Sequence, residues 1–187
     1  IHWAMKHAAP VRRQLGFPTI FNLLGPLTNP AGAEFQLLGA NSINYAELLA
    51  NALSQLKIER AFVVCGNNEL DEVALWGTTT VFDVRADSVH RLEWTAGNFG
   101  LTPCDVASLR VTSAAESAEV ILNVLKGIPG PASDMVIANT AAALVVSGRV
   151  DILRTGVDVA ASAISSGKSL ALLEALIQKT CSMAHPL

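Results

Sequence analysis

At 187 residues the chain is long enough for one domain with its own core. Hydrophobic residues make up 51% and charged residues 16%, against about 25% charged in average globular proteins, which excludes a disordered chain and suggests surface buried against other parts. A net charge of -3 and an isoelectric point near 5.8 leave no electrostatic case for nucleic-acid binding.

Residues 2–14 read as a helix, with Ala4, Met5, Ala8 and Val11 spaced as an apolar stripe; Gly16 ends it and Pro18 blocks its continuation. Gly25-Pro26 and Asn29-Pro30 punctuate the irregular segment that follows, because proline biases its predecessor away from helix. A short strand is expected over residues 35–39. A helix over residues 45–56 would place Leu48, Leu49, Ala52, Leu53 and Leu56 on one face.

The apolar run from Ala61 to Cys65 reads as a buried strand ending at Gly66, with the polar stretch Asn67-Asn-Glu-Leu-Asp-Glu72 at its carboxyl end. Residues 79–84 and 89–94 read as a hairpin joined through Asp87-Ser88. Beyond it the pattern is helical. One helix over 116–126 carries Val120, Ile121, Val124 and Leu125 on one side and stops at Gly127. A second, with Ser133 as its cap, runs to about Ser147 and is apolar nearly all round, as buried helices are. Two more are expected over 156–165 and 169–179. Strand, helix, strand and then helices argue an α/β layer fold in one domain covering residues 1–187.

Cys65, Cys104 and Cys181 are odd in number and form no C-x-x-C pair, so a reducing cytoplasm fits better than a disulfide framework or a cysteine zinc site. No apolar run approaches the roughly 18 residues of a membrane span, and no signal peptide is visible, so no membrane partner is expected. The chain opens at Ile1-His2-Trp3 without Met, and an upstream segment is expected.

Three constellations could carry chemistry. His2 and Lys6 lie four apart on one helix face, with Arg12 and Arg13 further along; guanidinium offers a planar fork to a carboxylate or phosphate. The loop Gly25-Pro-Leu-Thr-Asn-Pro30 combines a glycine that lets backbone approach a ligand with prolines that stiffen it. Asp71 and Glu72 lie beyond the strand ending at Cys65, on the side where open α/β sheets bind ligands, and two carboxylates there suit Mg²⁺. Taken singly, each is more often a solvated face or a structural turn. Ser166-Gly-Lys-Ser169 imitates the end of a phosphate-binding P-loop, but Ser162 stands where the motif needs glycine, so it reads as an interhelical turn.

Together the three have the order found in one family. His2-Trp-Ala-Met-Lys6, Ala9-Pro-Val-Arg-Arg-Gln-Leu-Gly16 and above all Thr19-Ile-Phe-Asn-Leu-Leu-Gly-Pro-Leu-Thr-Asn-Pro-Ala31 resemble the anthranilate phosphoribosyltransferases. So do Leu70-Asp-Glu72, Glu116-Ser-Ala118, Asn139-Thr-Ala-Ala-Ala-Leu144 and Ser166-Gly-Lys168. The resemblance implies a central mixed, mostly parallel sheet flanked by helices, a helix-rich C-terminal half, and a small N-terminal helical domain largely absent from this stretch. It further implies transfer of a phosphoribosyl group from phosphoribosyl diphosphate to anthranilate, in tryptophan biosynthesis in the cytoplasm. Arg12 would face the anthranilate carboxylate, His2 and the Gly25-Pro26 turn would line the same channel, and Asp71 with Glu72 would hold Mg²⁺. No residue is expected to act as an acid or base.

The family's glycine-rich diphosphate loop and dimerising helical domain would lie upstream of Ile1. This stretch alone is therefore expected to be inactive, and the full-length enzyme to be a homodimer. Trp3 stands where members usually carry proline, and Gly66-Asn67-Asn68-Glu69 departs from the usual glycine-rich approach to the acidic pair. A nucleoside phosphorylase-like relative and a non-catalytic binding paralogue are the alternatives.

Overall fold

The computed structural model describes residues 31–184, together with Gln14, Gly25, Leu27 and Thr28. The helix expected over 2–14 lies outside the described residues apart from helical Gln14, and nearly all of the proline-rich segment lies outside them too.

Strand β1 (Phe35–Gly39) leads through helix α1 (Ile43–Gln55) to β2 (Arg60–Gly66), which pairs with it in parallel. β3 (Thr79–Arg85) and β4 (Ser88–Trp94) extend the sheet as an antiparallel hairpin, giving the order β1-β2-β3-β4. The mixed α/β class is as expected. The strand balance is not mostly parallel: among the described residues one neighbouring pair is parallel and two are antiparallel, because β3 runs back beside β2 and β4 returns beside β3 through a tight turn. The hairpin turns at Ala86-Asp87, since Ser88 already pairs with Arg85, one residue earlier than the sequence suggested.

Alternation along β2 divides the core. Ala61, Val63 and Cys65 join Leu49 and Leu53 of α1 on one face, while Phe62 and Val64 lie with Val81 and the helix over Pro131–Val146 on the other. A strand covered on both sides has no polar face to show, which explains the unbroken apolar run. Phe62, Trp94 and Phe99 pack edge to face with ring centres 5.2 and 5.7 Å apart. Arg60 closes the far end of the sheet: it grips Asp83 with two prongs at 3.1 and 2.9 Å and donates to the Val145 carbonyl at 3.0 Å.

Helix α1 begins where Ser42 accepts the N–H of Tyr45, two residues before the expected start. Its buried face is Ala46, Leu49, Ala50 and Leu53, whereas Leu48 and Leu56 are 52% and 61% exposed. Leu49 and Leu53 of the expected face are buried, but Leu48 and Leu56 give way to the small Ala46 and Ala50, which are completely buried beside Leu49.

After the sheet come α2 (Ala96–Phe99), a 3₁₀ turn (Val106–Leu109), α3 (Ala114–Leu125), α4 (Pro131–Val146), α5 (Leu153–Ser165) and α6 (Lys168–Ala184). Only Val124 of α3 is buried, and Ile121 of the expected face is half-exposed. Ser133 is not the cap of α4: Gly130 is, with Pro131 as first helical residue, and Ser133 is buried within the first turn. Proline suits that position because its missing N–H would have no partner there. α4 packs on the sheet with Met135, Ala138 and Ala142 and on α5 with Ile137 and Ala141, which is why it lacks a polar face. Ser166 and Gly167 (φ 73°) form the turn between α5 and α6, as expected. Among the described residues no single helix is long and apolar enough to cross a membrane.

Candidate active site at the strand ends

The parallel strands β1 and β2 both end in glycine, and the acidic segment lies across those ends. Gly66 exchanges both main-chain hydrogen bonds with Leu70, at 2.8 Å each, closing a loop of Asn67, Asn68 and Glu69. Asn67 and Asn68 are left-handed (φ 48° and 56°), a conformation asparagine tolerates better than most residues. The departure from a glycine-rich loop is thus met by asparagines at the positions that need positive φ. Asn68 Oδ1 also accepts the N–H of Ile43 at 2.9 Å, satisfying an orphan donor at the start of α1.

Asn67 Nδ2 and Trp76 Nε1 both donate to Glu69 Oε1, at 3.0 and 3.2 Å. These bonds, Asn67 first, hold the Glu69 carboxyl below its ordinary value, with a smaller contribution from Arg110. Glu69 is therefore engaged in shaping the loop.

Asp71 and Glu72 come next, both exposed. A Cβ on Gly39 would fall on the carbonyl oxygen of Asp71, and one on Gly66 would lie 2.7 Å from the carbonyl oxygen of Glu72. The main chain of the pair is thus pressed onto the carboxyl ends of β1 and β2. Beyond the pair, Ala74 donates to Thr79 Oγ1 at 2.9 Å and Cys104 donates to the Leu75 carbonyl at 3.2 Å. Val73 is held by Asn139 of α4: its N–H donates to Oδ1 at 2.9 Å and its carbonyl accepts from Nδ2 at 3.1 Å.

Desolvation by the protein packed around it first, and the charge of Asp71 second, push the carboxyl of Glu72 above its ordinary value although the residue as a whole is exposed. Two neighbouring carboxylates in this condition fit a hard divalent cation. Among the described residues no group of three or more His, Cys, Asp or Glu could cage a metal.

Of the other residues singled out in the sequence, Gly25 is described, and among the described residues no atom beyond its own stretch of chain lies within 4 Å of where its Cβ would be. His2, Arg12 and Pro26 lie outside the described residues. A cavity of about 690 Å³ opens at the opposite end of the sheet, between Glu34, Gln36, Leu53, Lys57 and Arg85, away from the acidic pair. Asn139 lies in the segment Asn139-Thr-Ala-Ala-Ala-Leu144 and belongs to none of the three constellations legible in the sequence. The signal that marks it is an amide in the middle of a largely apolar helix, since a polar group there must find partners.

Residues 1–170 match the model of the glycosyl transferase family, a/b domain. The chain belongs to this family. It is 40% identical over 184 residues to the anthranilate phosphoribosyltransferase of Nitrosomonas eutropha, covering 98% of this chain and 54% of that protein. The crystal structure of anthranilate phosphoribosyltransferase from Thermus thermophilus superposes with a TM-score of 0.83 at 37% identity, over 92% of this chain and 51% of that one. The Saccharomyces cerevisiae enzyme in complex with PRPP and Mg gives 0.86 at 30% identity, over 97% and 52%. The chain therefore spans about half the length of these glycosyl transferase relatives, and the shared half contains the strand ends and the acidic pair.

Proposed function

We propose that this chain is the α/β catalytic half of an anthranilate phosphoribosyltransferase, transferring a 5-phosphoribosyl group from phosphoribosyl diphosphate to anthranilate with release of diphosphate. The observation that carries the reading is the acidic pair Asp71-Glu72 pressed onto the ends of the parallel strands by Gly39 and Gly66. It gains force from membership of a family in which similar proteins carry that name, one of them in complex with PRPP and Mg.

In this mechanism the anthranilate nitrogen attacks C1 of the ribose while the bond from C1 to the diphosphate oxygen breaks. The ribose carbon becomes oxocarbenium-like, so orienting a weakly basic amine matters more than deprotonating it. Arg12 supplies that orientation by pairing with the ortho carboxylate, and His2 with Gly25-Pro26 walls the same channel. Asp71 and Glu72 would hold Mg²⁺, and a divalent ion there would supply charge that offsets the leaving diphosphate more in the transition state than before it. The three free cysteines fit a cytoplasmic enzyme.

The test is Asp71→Asn combined with Glu72→Gln in the complete enzyme. Turnover falls and the Mg²⁺ concentration for half-maximal rate rises; an unchanged Mg²⁺ titration removes the pair from the metal site. Arg12→Ala raises the KM for anthranilate and leaves that for phosphoribosyl diphosphate in place, and equal indifference of both rejects the anchor.

A further inference from the structure

We infer that the side-chain amide of Asn139 is the positioning device for the acidic pair, holding the main chain immediately after Glu72 as a neighbouring strand would. The inference rests on the proposed metal role of Asp71 and Glu72, and extends it to a residue 66 positions away from Val73 in the chain.

The geometry is that of a two-bond clamp. Asn139 Oδ1 accepts the Val73 N–H at 2.9 Å, and Nδ2 donates to the Val73 carbonyl at 3.1 Å and to the Met135 carbonyl one turn back at 3.0 Å. Both amide protons and one lone pair of the oxygen are committed. The orientation is therefore determined, because a reversed amide would face the Val73 N–H with NH₂ and two carbonyls with oxygen. Aspartate cannot substitute, since its second oxygen would meet the carbonyls of Val73 and Met135. Leucine would leave both groups of the fully buried Val73 unpaired.

The site of the clamp gives it consequence. Upstream, the exchange of hydrogen bonds between Gly66 and Leu70 fixes the chain up to Leu70. Downstream, Val73 is the first residue held. Only Asp71 and Glu72 stand between the two anchors, so the downstream anchor sets their reach. Asn139 is mounted on α4, whose Ala138, Ala141 and Ala142 are fully buried, so the clamp stands on a rigid element. Asn139 itself touches no proposed ligand atom; it acts through Val73.

The experiment uses the complete enzyme and three readouts. In the unaltered protein, hydrogen exchange at the Val73 amide is slow; exchange at the rate of an open loop overturns the clamp without any variant. In Asn139→Asp and Asn139→Ala that amide exchanges at least about tenfold faster, while Val63 in β2 keeps its protection. The Mg²⁺ concentration for half-maximal rate and the Mn²⁺ dissociation constant in the presence of phosphoribosyl diphosphate, read by calorimetry, both rise by about tenfold or more, the range for residues that orient metal ligands. KM for anthranilate stays. Faster Val73 exchange with unchanged metal affinity, in an enzyme whose titration does respond to Asp71→Asn with Glu72→Gln, overturns the positioning role and leaves the metal site standing. Indifference to Asp71 and Glu72 themselves overturns the metal reading, and the positioning role with it.

Discussion

Gly39, the last residue of β1, abuts the main chain of Asp71 so closely that a methyl group on Gly39 would occupy the position of the Asp71 carbonyl oxygen. Its φ is not in the left-handed region, so glycine is required here for space. The neighbour is backbone anchored a residue away at Leu70, and cannot swing aside as a flexible side chain would.

Gly39→Ala is therefore expected to destabilise the protein by about 1–3 kcal/mol, the range for forcing extra volume into packed structure. Denaturant unfolding reads this as a lower midpoint with an unchanged slope. In the complete enzyme the same change displaces the acidic pair and raises the Mg²⁺ requirement. A variant with the parent's midpoint would show that the acidic segment yields freely, which contradicts the close packing at both strand ends.

Glu116 gives a prediction in pH. Its carboxylate accepts from the Thr112 N–H at 2.7 Å and from the Thr112 hydroxyl at 2.8 Å, while Ser113 caps α3 by accepting the Glu116 N–H at 3.1 Å. The bonds from Thr112 hold the Glu116 carboxyl below its ordinary value of 4.5. A carboxyl lowered on folding stabilises the fold fully above its unfolded value, and that contribution disappears as pH falls through the lower folded value. Protection of the Thr112 amide is thus constant from neutrality down to about the ordinary glutamate value and lost below it. Glu116→Gln, which cannot titrate, abolishes the pH-dependent part. A Thr112 amide that shifts equally in parent and variant would assign the transition to another group.

What could be read from the sequence follows from how local each cause is. β2 and the hairpin were legible because alternation and β-branched residues act within a few positions, and the placement of Asp71-Glu72 beyond β2 followed from chain order. The buried face of α1 was legible at Leu49 and Leu53 but not at Ala46 and Ala50, whose small size carries little weight in an apolar pattern. Ser133 resembled a cap by residue type, yet Pro131 had already opened the first turn, with Gly130 as the cap three residues earlier. The supports of the acidic pair were not legible, since Gly39 and Asn139 meet the segment only through tertiary contact. The asparagines at 67 and 68 were read as a departure from a pattern, and only their positive φ explains why they serve.

The packing of α4 on α5 supplies a prediction whose sign separates local from tertiary effects. Gly156 lies inside α5 with ordinary helical φ, so by intrinsic preference Gly156→Ala should stabilise the helix by about 1 kcal/mol. A Cβ there would stand 2.9 Å from both the Cα and the Cβ of Ala141, closer than real methyl contacts, and the obstacle includes the backbone of buried α4. Relief requires the two helices to separate by some tenths of an ångström, loosening contacts along their shared face. The overpacking cost of about 1–3 kcal/mol outweighs the helix-propensity gain, so Gly156→Ala lowers the melting temperature. The double variant Gly156→Ala with Ala141→Gly removes one of the two opposing methyls and recovers part of the loss, offset by the propensity cost of the new glycine in α4. A non-additive recovery locates the effect at this helix contact, whereas strictly additive changes would place its origin elsewhere in α5.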